Sequence, residues 1–388
     1  MDFSLSEEQE AIRQQARAVA ARFDDAYWRG CDTEHRFPWE FYQAFAEAGW
    51  LGIAIPREYG GAGLGITEAA LLLEEVAASG AAMNGSTALH LTIFGLNPVV
   101  KHGTEDLKRR VLVPAAEGTL HVAFSVTEPD AGSDTPSITT RAVRDGDYYI
   151  IRGKKVWTSK AQEASKALLL ARTTPLDQVK RRTDGMTLFM AELDPKYVTI
   201  REIPKLGRNA VDSNEVFYDD LPVHARDVIG EEGRGFYHLL DGLNPERILI
   251  AGEALGTGKV ALRKATEYAK NRVVFGRPIG QNQAVQFPLA DSHAKLQAAE
   301  LMIRKASWLY DHGLPCGAEA NMAKYLASEW GFEAADRALQ VHGGFGYAKE
   351  FDVERYWREV RVMRIAPVTQ EMVLNFIGQH ELGLPRSY

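Results

Sequence analysis

Arg144-Asp145-Gly146-Asp147 stands between two strand-like stretches, and it decides how the middle of the chain folds. Asp-Gly is a hairpin signal because the tight turns that match strand twist need positive φ, which glycine adopts without a Cβ clash. Residues 122–228 around it run in short alternating segments separated by turn residues. Further strands are predicted at 167–171, Met186–Glu192, 198–203 and 215–218. This is a small all-β domain of about 110 residues.

On either side the period becomes helical. Ser6 and Gln9 form a possible capping box, followed by Ile12, Ala16, Val19 and Phe23 on one helix face. Pro38 suits a helix start, and Gly49 ends the stripe of Phe41, Phe45 and Ala48. After a glycine-rich loop at 59–63, Thr67 is read as the cap of a helix through Leu71, Leu72 and Val76. Beyond Gly235, long helices are predicted from Pro245, Val285, Ala318 and Val368. Helices, then strands, then helices indicate an α+β multidomain chain and not a parallel α/β sheet. The predicted divisions are residues 1–119, 120–232 and 233–388.

Composition excludes several classes. The 388 residues carry a net charge of -7, which disfavours a nucleic-acid binder. The run Lys180, Arg181, Arg182 reads as a solvated loop. Two distant cysteines, Cys31 and Cys316, make no disulfide framework and fit a reducing, cytoplasmic setting. The acidic start resembles no signal peptide, and no apolar run is long enough to span a membrane. The ten histidines show no close pair at helical ligand spacing, so no metal site is expected. No G-x-G-x-x-G follows a strand. The glycines at 252, 256 and 258 have the wrong spacing for a P-loop and lie in a helical pattern, so they read as helix-packing residues.

Three segments carry a resemblance. They are Phe124-Ser125-Val126-Thr127-Glu128-Pro129-Asp130-Ala131-Gly132-Ser133-Asp134, then Arg272-Val273-Val274-Phe275-Gly276-Arg277-Pro278-Ile279 with Gln283, and Gln340-Val341-His342-Gly343-Gly344-Phe345-Gly346-Tyr347. In order and separation they resemble the acyl-CoA dehydrogenases along essentially the whole chain. That resemblance implies an N-terminal all-α domain, a middle β-barrel and a C-terminal four-helix bundle. It implies FAD between the last two, a tetramer made of two dimers, and an acyl-CoA substrate. Phe124, Val126, Thr127, Gly132, Ser133, Trp157, Thr158 and Ser159 would line the flavin, with Ser133 also near substrate. Arg272, Phe275, Gln283, Gln340, Gly343 and Gly344 would reach the adenosine half across the dimer. Each has a plain alternative: Trp157 as core, Arg272 as a solvated helix end, Gly343-Gly344 as a helix cap and turn.

The reaction needs a base for the α-proton while hydride leaves the β-carbon. Most relatives place a glutamate in a Tyr-Glu-Gly-Thr segment, which here reads Ala366-Pro367-Val368-Thr369. Pro367 cannot be a base, although Thr369 and Glu371 remain positions near FAD. A smaller branch, resembling isovaleryl-CoA and long-chain acyl-CoA dehydrogenases, carries the base in a Glu-Arg pair that matches Asn244-Pro245-Glu246-Arg247. Glu246 is therefore the expected base, with Asn244 and Arg247 near the thioester or pantetheine. A glutamate in the first turn of a helix also has a purely electrostatic reason to be there. Glu253, seven residues on, and Glu371 are outside alternatives. The expected acceptor is an electron-transferring flavoprotein. An acyl-CoA oxidase or flavin monooxygenase relative, and a non-catalytic flavin or acyl-CoA binder, are the competing readings.

Overall fold

The computed structural model describes residues 4–387. The N-terminal helical domain comprises α1 (Glu7–Ala20), α2 (Asp25–Glu34), α3 (Trp39–Glu47), α4 (Ile66–Val76), α5 (Ala82–Ile93), α6 (Asn97–His102) and α7 (Glu105–Ala116). The middle domain holds β1 (Val122–Ser125), β2 (Arg141–Asp145), β3 (Tyr148–Ser159), β4 (Lys166–Arg172), β5 (Met186–Glu192), β6 (Val198–Glu202), β7 (Ser213–His224) and β8 (Val228–Ile229). In the C-terminal domain, α8 (Gly235–Leu240) and α9 (Leu243–Asn271) lead to a hairpin of β9 (Val273–Val274) and β10 (Arg277–Pro278). Then come α10 (Gln283–Asp311), α11 (Gly317–His342), α12 (Val353–Val360) and α13 (Gln370–His380).

The Asp145-Gly146 turn joins β2 to β3 as the sequence requires, with Asp145 paired to Tyr148. The sheet is mixed, in the order β6-β7-β3-β2-β4-β5-β8, and β1 adds parallel to β4. The run 167–171 on β4 is apolar without alternation because both its faces are buried. Leu168 and Leu170 pack with Leu107, Val111 and Leu112 of α7, while Leu169 and Ala171 join the opposite core with Ile151 and Val216.

The start of α1 follows local chemistry, and that of α4 does not. The Ser6 hydroxyl accepts from the Gln9 amide at 3.1 Å and the Gln9 side chain returns the bond at 3.1 Å. Thr67, however, does not cap α4. The helix begins at Ile66 after Gly65, and its first amides are taken by the Asp311 carboxylate at the far end of α10, Ile66 at 2.8 Å and Thr67 at 2.9 Å. Gly65 leaves that carboxylate room, since a Cβ would sit 2.7 Å from Asp311 Oδ2. α12 has no counterpart in the sequence-based helices.

A single core joins α1–α5 to α9–α12, running from Ile12 through Trp28, Phe41 and Leu72 to Ile248, Leu255, Leu296 and Tyr356. No helix among the described residues is long and apolar enough to cross a membrane.

Candidate active site

Glu246 lies in the first turn of α9, and Glu253 follows seven residues later. Seven residues is close to two turns, so both carboxylates face the same way, towards α5. His90 of α5 is trapped between them. Its Nε2 is 2.8 Å from Glu246 Oε2, and its Nδ1 is 2.5 Å from Glu253 Oε1. With a carboxylate facing each nitrogen, the protonated imidazole donates from both. Burial alone would lower its pKa, but the pull of Glu246 and Glu253 overrides burial and raises it well above the ordinary value. Glu253 is sealed in the core, and the Ser86 hydroxyl 3.4 Å from it donates to the Ala82 carbonyl at 2.8 Å. Glu246 keeps 25% of its side chain exposed, and its Oε1 has no hydrogen-bond partner among the described residues.

Small residues let α9 come this close to its neighbours. A Cβ on Gly256 would stand 2.3 Å from the Glu74 carbonyl of α4, and one on Gly258 would stand 2.8 Å from Gly331 Cα of α11. Gly252 faces the Ala70 carbonyl of α4 at 3.0 Å in the same way. The glycines with faint P-loop spacing are therefore packing residues.

Arg247 donates to Asn244 Oδ1 at 3.0 Å, while its buried Nε has no partner among the described residues. Burial lowers its pKa against the opposing charge of Glu246. Lys324 of α11 is likewise buried and unpartnered, and burial, reinforced by Arg247, pushes it down to about 8. Pro367 is exposed. Thr369 caps α13, accepting from the Met372 amide at 3.3 Å. Glu371 is exposed, and its own backbone amide and the Thr369 hydroxyl hold its carboxyl below the usual range.

The sheet edge brings the first resembling segment against Trp157-Thr158-Ser159. The Val156 amide donates to the Thr127 carbonyl at 2.9 Å, and α5 contacts β1. Lys155 ties the two segments together, donating to the Val126 carbonyl at 2.8 Å and to Glu128 at 2.9 Å. Burial pushes Lys155 down to about 8. Burial would raise Glu128, but Lys155 and the amides and hydroxyl of Thr139 and Thr140 hold it down to about 2. The register of β3 against β7 shifts between Lys155 and Thr158, and Trp157 there has φ 59° with 57% of its surface exposed. A bulky residue in the left-handed region costs about 1–3 kcal/mol and persists only where its surroundings fix it. Phe124, Gly132 and Ser133 are also exposed, and the turn that carries the last two is braced by the Arg182–Asp134 pair at 2.7 Å. Thr158 points the other way, buried against Ser125 at 3.3 Å, and Ser159 is half-buried at the end of β3.

The second set gathers where α9 and α11 end. The Arg272 guanidinium lies 5.5 Å over the Phe345 ring, and Tyr268 stacks on His342 at 4.2 Å. Gln340, Gly343 and Gly344 are exposed there, with Gln283 exposed at the start of α10. The β9–β10 hairpin projects, leaving Phe275 101% exposed.

His90 is the residue that sequence reasoning missed. It is a lone histidine in an otherwise buried helix, and its partners are 156 and 163 residues away. The histidines also form one pair invisible to spacing. His102 and His238 stack at 4.0 Å beside Asp241, but His102 Nε2 already bonds Asp241 at 3.0 Å and His238 Nε2 accepts the Glu231 amide at 3.1 Å.

A flavin dinucleotide needs a flat apolar wall, open backbone and a fixed positive charge near its phosphates. Trp157 and Phe124 offer exposed aromatic faces, Gly132, Gly343 and Gly344 have open space where a Cβ would stand, and Arg272 is always charged. These residues fit the group. Two helical domains flanking a mixed sheet with such an edge define a flavoprotein oxidoreductase.

The chain belongs to the acyl-CoA dehydrogenase family: its N-terminal, middle and C-terminal domain signatures match residues 6–119, 123–221 and 233–382. It is 40% identical to the acyl-CoA dehydrogenase FadE12 of Mycobacterium tuberculosis, over 100% of this chain and 99% of the relative. Among solved structures it is similar to butyryl-CoA dehydrogenase from Megasphaera elsdenii, with TM-score 0.93 and 30% identity, covering 98% of this chain and 100% of that one. It also superposes on the FAD complex of PigA, with TM-score 0.93 and 27% identity, over 99% of this chain and 100% of that one. The protein is an FAD-containing oxidoreductase acting on acyl-CoA, with a place in fatty acid metabolism.

Proposed function

We propose that the protein converts an acyl-CoA thioester to its 2-enoyl-CoA, with Glu246 as the base that takes the α-proton. One observation carries this reading. Of the three carboxylates in question, Glu253 is sealed in the core and Glu371 sits in solvent at the start of α13. Only Glu246 combines partial exposure with an uncommitted oxygen. FAD, when bound against Trp157, supplies the hydride acceptor for the β-carbon. Arg247, steadied by Asn244, lies beside the thioester or pantetheine, as the family resemblance implies. Ser133, exposed on its turn, serves the substrate and flavin side, and Thr369 and Glu371 border FAD from α13.

The exposed apolar hairpin supports assembly into a homotetramer in which Arg272, Phe275, Gln283, Gln340, Gly343 and Gly344 reach a neighbour's adenosine half. The acceptor is an electron-transferring flavoprotein, as the family resemblance implies, and two free, buried thiols fit a cytoplasmic setting.

Glu246→Gln is expected to retain yellow, FAD-loaded protein and to lose anaerobic bleaching by acyl-CoA by about 10²–10⁴-fold. Undiminished bleaching rules Glu246 out. Butyryl-, isovaleryl- and palmitoyl-CoA compared by the same signal sort acyl chains, and peroxide release in air marks an oxidase.

A further inference from the structure

We propose that His90, held by Glu253, is a positioning residue that anchors Glu246 Oε2 and thereby aims the free Oε1 at the substrate's α-carbon. The inference rests on Glu246 being the base.

A glutamate side chain has several rotatable bonds, and an unanchored one spends little time in the geometry for proton transfer. His90 removes that freedom through one bond of 2.8 Å to Oε2. His90 itself cannot turn, because its other nitrogen is bound to Glu253 at 2.5 Å inside a helix buried along almost its whole length. Two turns of α9 separate the carboxylates, so one rigid helix fixes both ends of the bridge.

The surrounding charges explain why two carboxylates are used. A buried imidazole facing one partly exposed carboxylate could shed its proton and turn from donor to acceptor. Glu253 supplies a second carboxylate from inside the core, on the far side of the ring from Glu246. The groups facing this bridge are Glu246 and Glu253 from α9, Ser86 from α5, Arg208 ahead of β7, which Glu253 attracts, and Arg247, which Glu246 attracts. Through turnover, the His90–Glu253 pair keeps both its protons. The α-carbon–hydrogen bond breaks and its proton goes to Glu246 Oε1. The electron pair left behind forms the carbon–carbon double bond as the β-hydride departs with its own pair to FAD. Only Glu246 changes charge.

The test is stopped-flow anaerobic bleaching of the FAD-loaded protein by butyryl-CoA, or by the fastest ester of the panel above. His90→Ala is expected to slow the saturating rate roughly 10–100-fold. Its half-saturating ester concentration stays close to that of the parent, and His90→Gln, which keeps one donor, recovers part of the loss. Glu253→Gln is expected to introduce an ionisation between about pH 6 and 9 that the parent's rate profile lacks, because the imidazole then titrates. A merely structural His90 would change melting temperature and leave the saturating rate and its pH profile alone, and that result overturns the proposal. If His90→Ala fails to fold, a parental rate in His90→Gln together with no new ionisation in Glu253→Gln overturns it equally. Full bleaching by Glu246→Gln removes the base itself. A silent Glu246→Gln beside an unimpaired His90→Ala removes only the positioning role.

Discussion

At the start of α9, Glu246 and Glu253 bracket a cation supplied by α5, whereas farther along the same helix Lys259 is bracketed by carboxylates from α4 and α10. Lys259 Nζ lies 2.6 Å from Glu74 Oε1 and 2.7 Å from Glu300 Oε2, and Glu300 also receives Arg304. Burial would lower the Lys259 pKa, but Glu74 and Glu300 raise it. Burial raises Glu74, while Lys259 leads the groups that bring Glu300 below its usual range. Both of those carboxylates are nearly sealed, with 5% and 11% of the side chain exposed, against 25% for Glu246. The two clusters share their ingredients and differ in closure. One is closed and ties three helices together. The other leaves an oxygen open, a feature that adds nothing to stability and makes sense where a proton must be collected.

Breaking the closed cluster has the largest expected effect on stability. Lys259→Met strands the buried Glu74, leaves Glu300 to Arg304, and is expected to cost about 3–5 kcal/mol, read by thermal or urea unfolding. The bleaching rate per bound flavin in the folded fraction stays at the parental value. A loss of rate without a loss of stability would erase the contrast between the clusters. Gly256→Ala presses a methyl group into the Glu74 carbonyl and is expected to cost about 1–3 kcal/mol. Because it pushes α4 from α9, the same variant sharpens the comparison by weakening the Lys259 cluster from its backbone side.

A third buried pair, Lys155–Glu128, extends the comparison into the sheet. The Glu128 pKa falls from 4.5 to about 2 on folding, so the unfolded chain takes up the proton first. Its stabilisation is complete above about pH 4.5 and is lost as pH falls through about 2. Glu128→Gln is expected to flatten that part of the stability–pH curve, and an unchanged slope would show the pair to be inert. The smallest effect belongs to a site remote from all three. Ser6→Ala removes one half of the α1 capping box and is expected to cost about 1 kcal/mol in melting experiments, with flavin content intact.

How much of this could be read in the sequence follows from the distance between interacting residues. The change of period near residue 121, the Asp-Gly turn, the Ser6 box and the long helices beyond Gly235 are local, and their residues announce them. α9, α10, α11 and α13 begin within two residues of the predicted starts. The parallel pairing of β1 with β4 is not local, and the cap of α4 comes from Asp311, 244 residues away from Thr67. Trp157 adopts positive φ with no glycine to signal it, because the constraint lies in the flanking bonds of Lys155 and Val156. The proposal of Glu246 as base draws in the sequence on its neighbour Arg247 and the unsuitable Pro367, and His90 carries no pattern at all. A site assembled from α5 and α9 shows each helix only half of its logic.

The core shared by α1–α5 and α9–α12 has a consequence for biosynthesis. Apart from Val211, the partners of its apolar residues up to Phe94 begin at Ile248. At a ribosomal pace of about 5–20 residues per second, that interval is roughly ten to thirty seconds. The whole β domain emerges and pairs its strands meanwhile, while the greasy sides of the first five helices stay open to chaperones. The two ends of the chain finish folding together, and last.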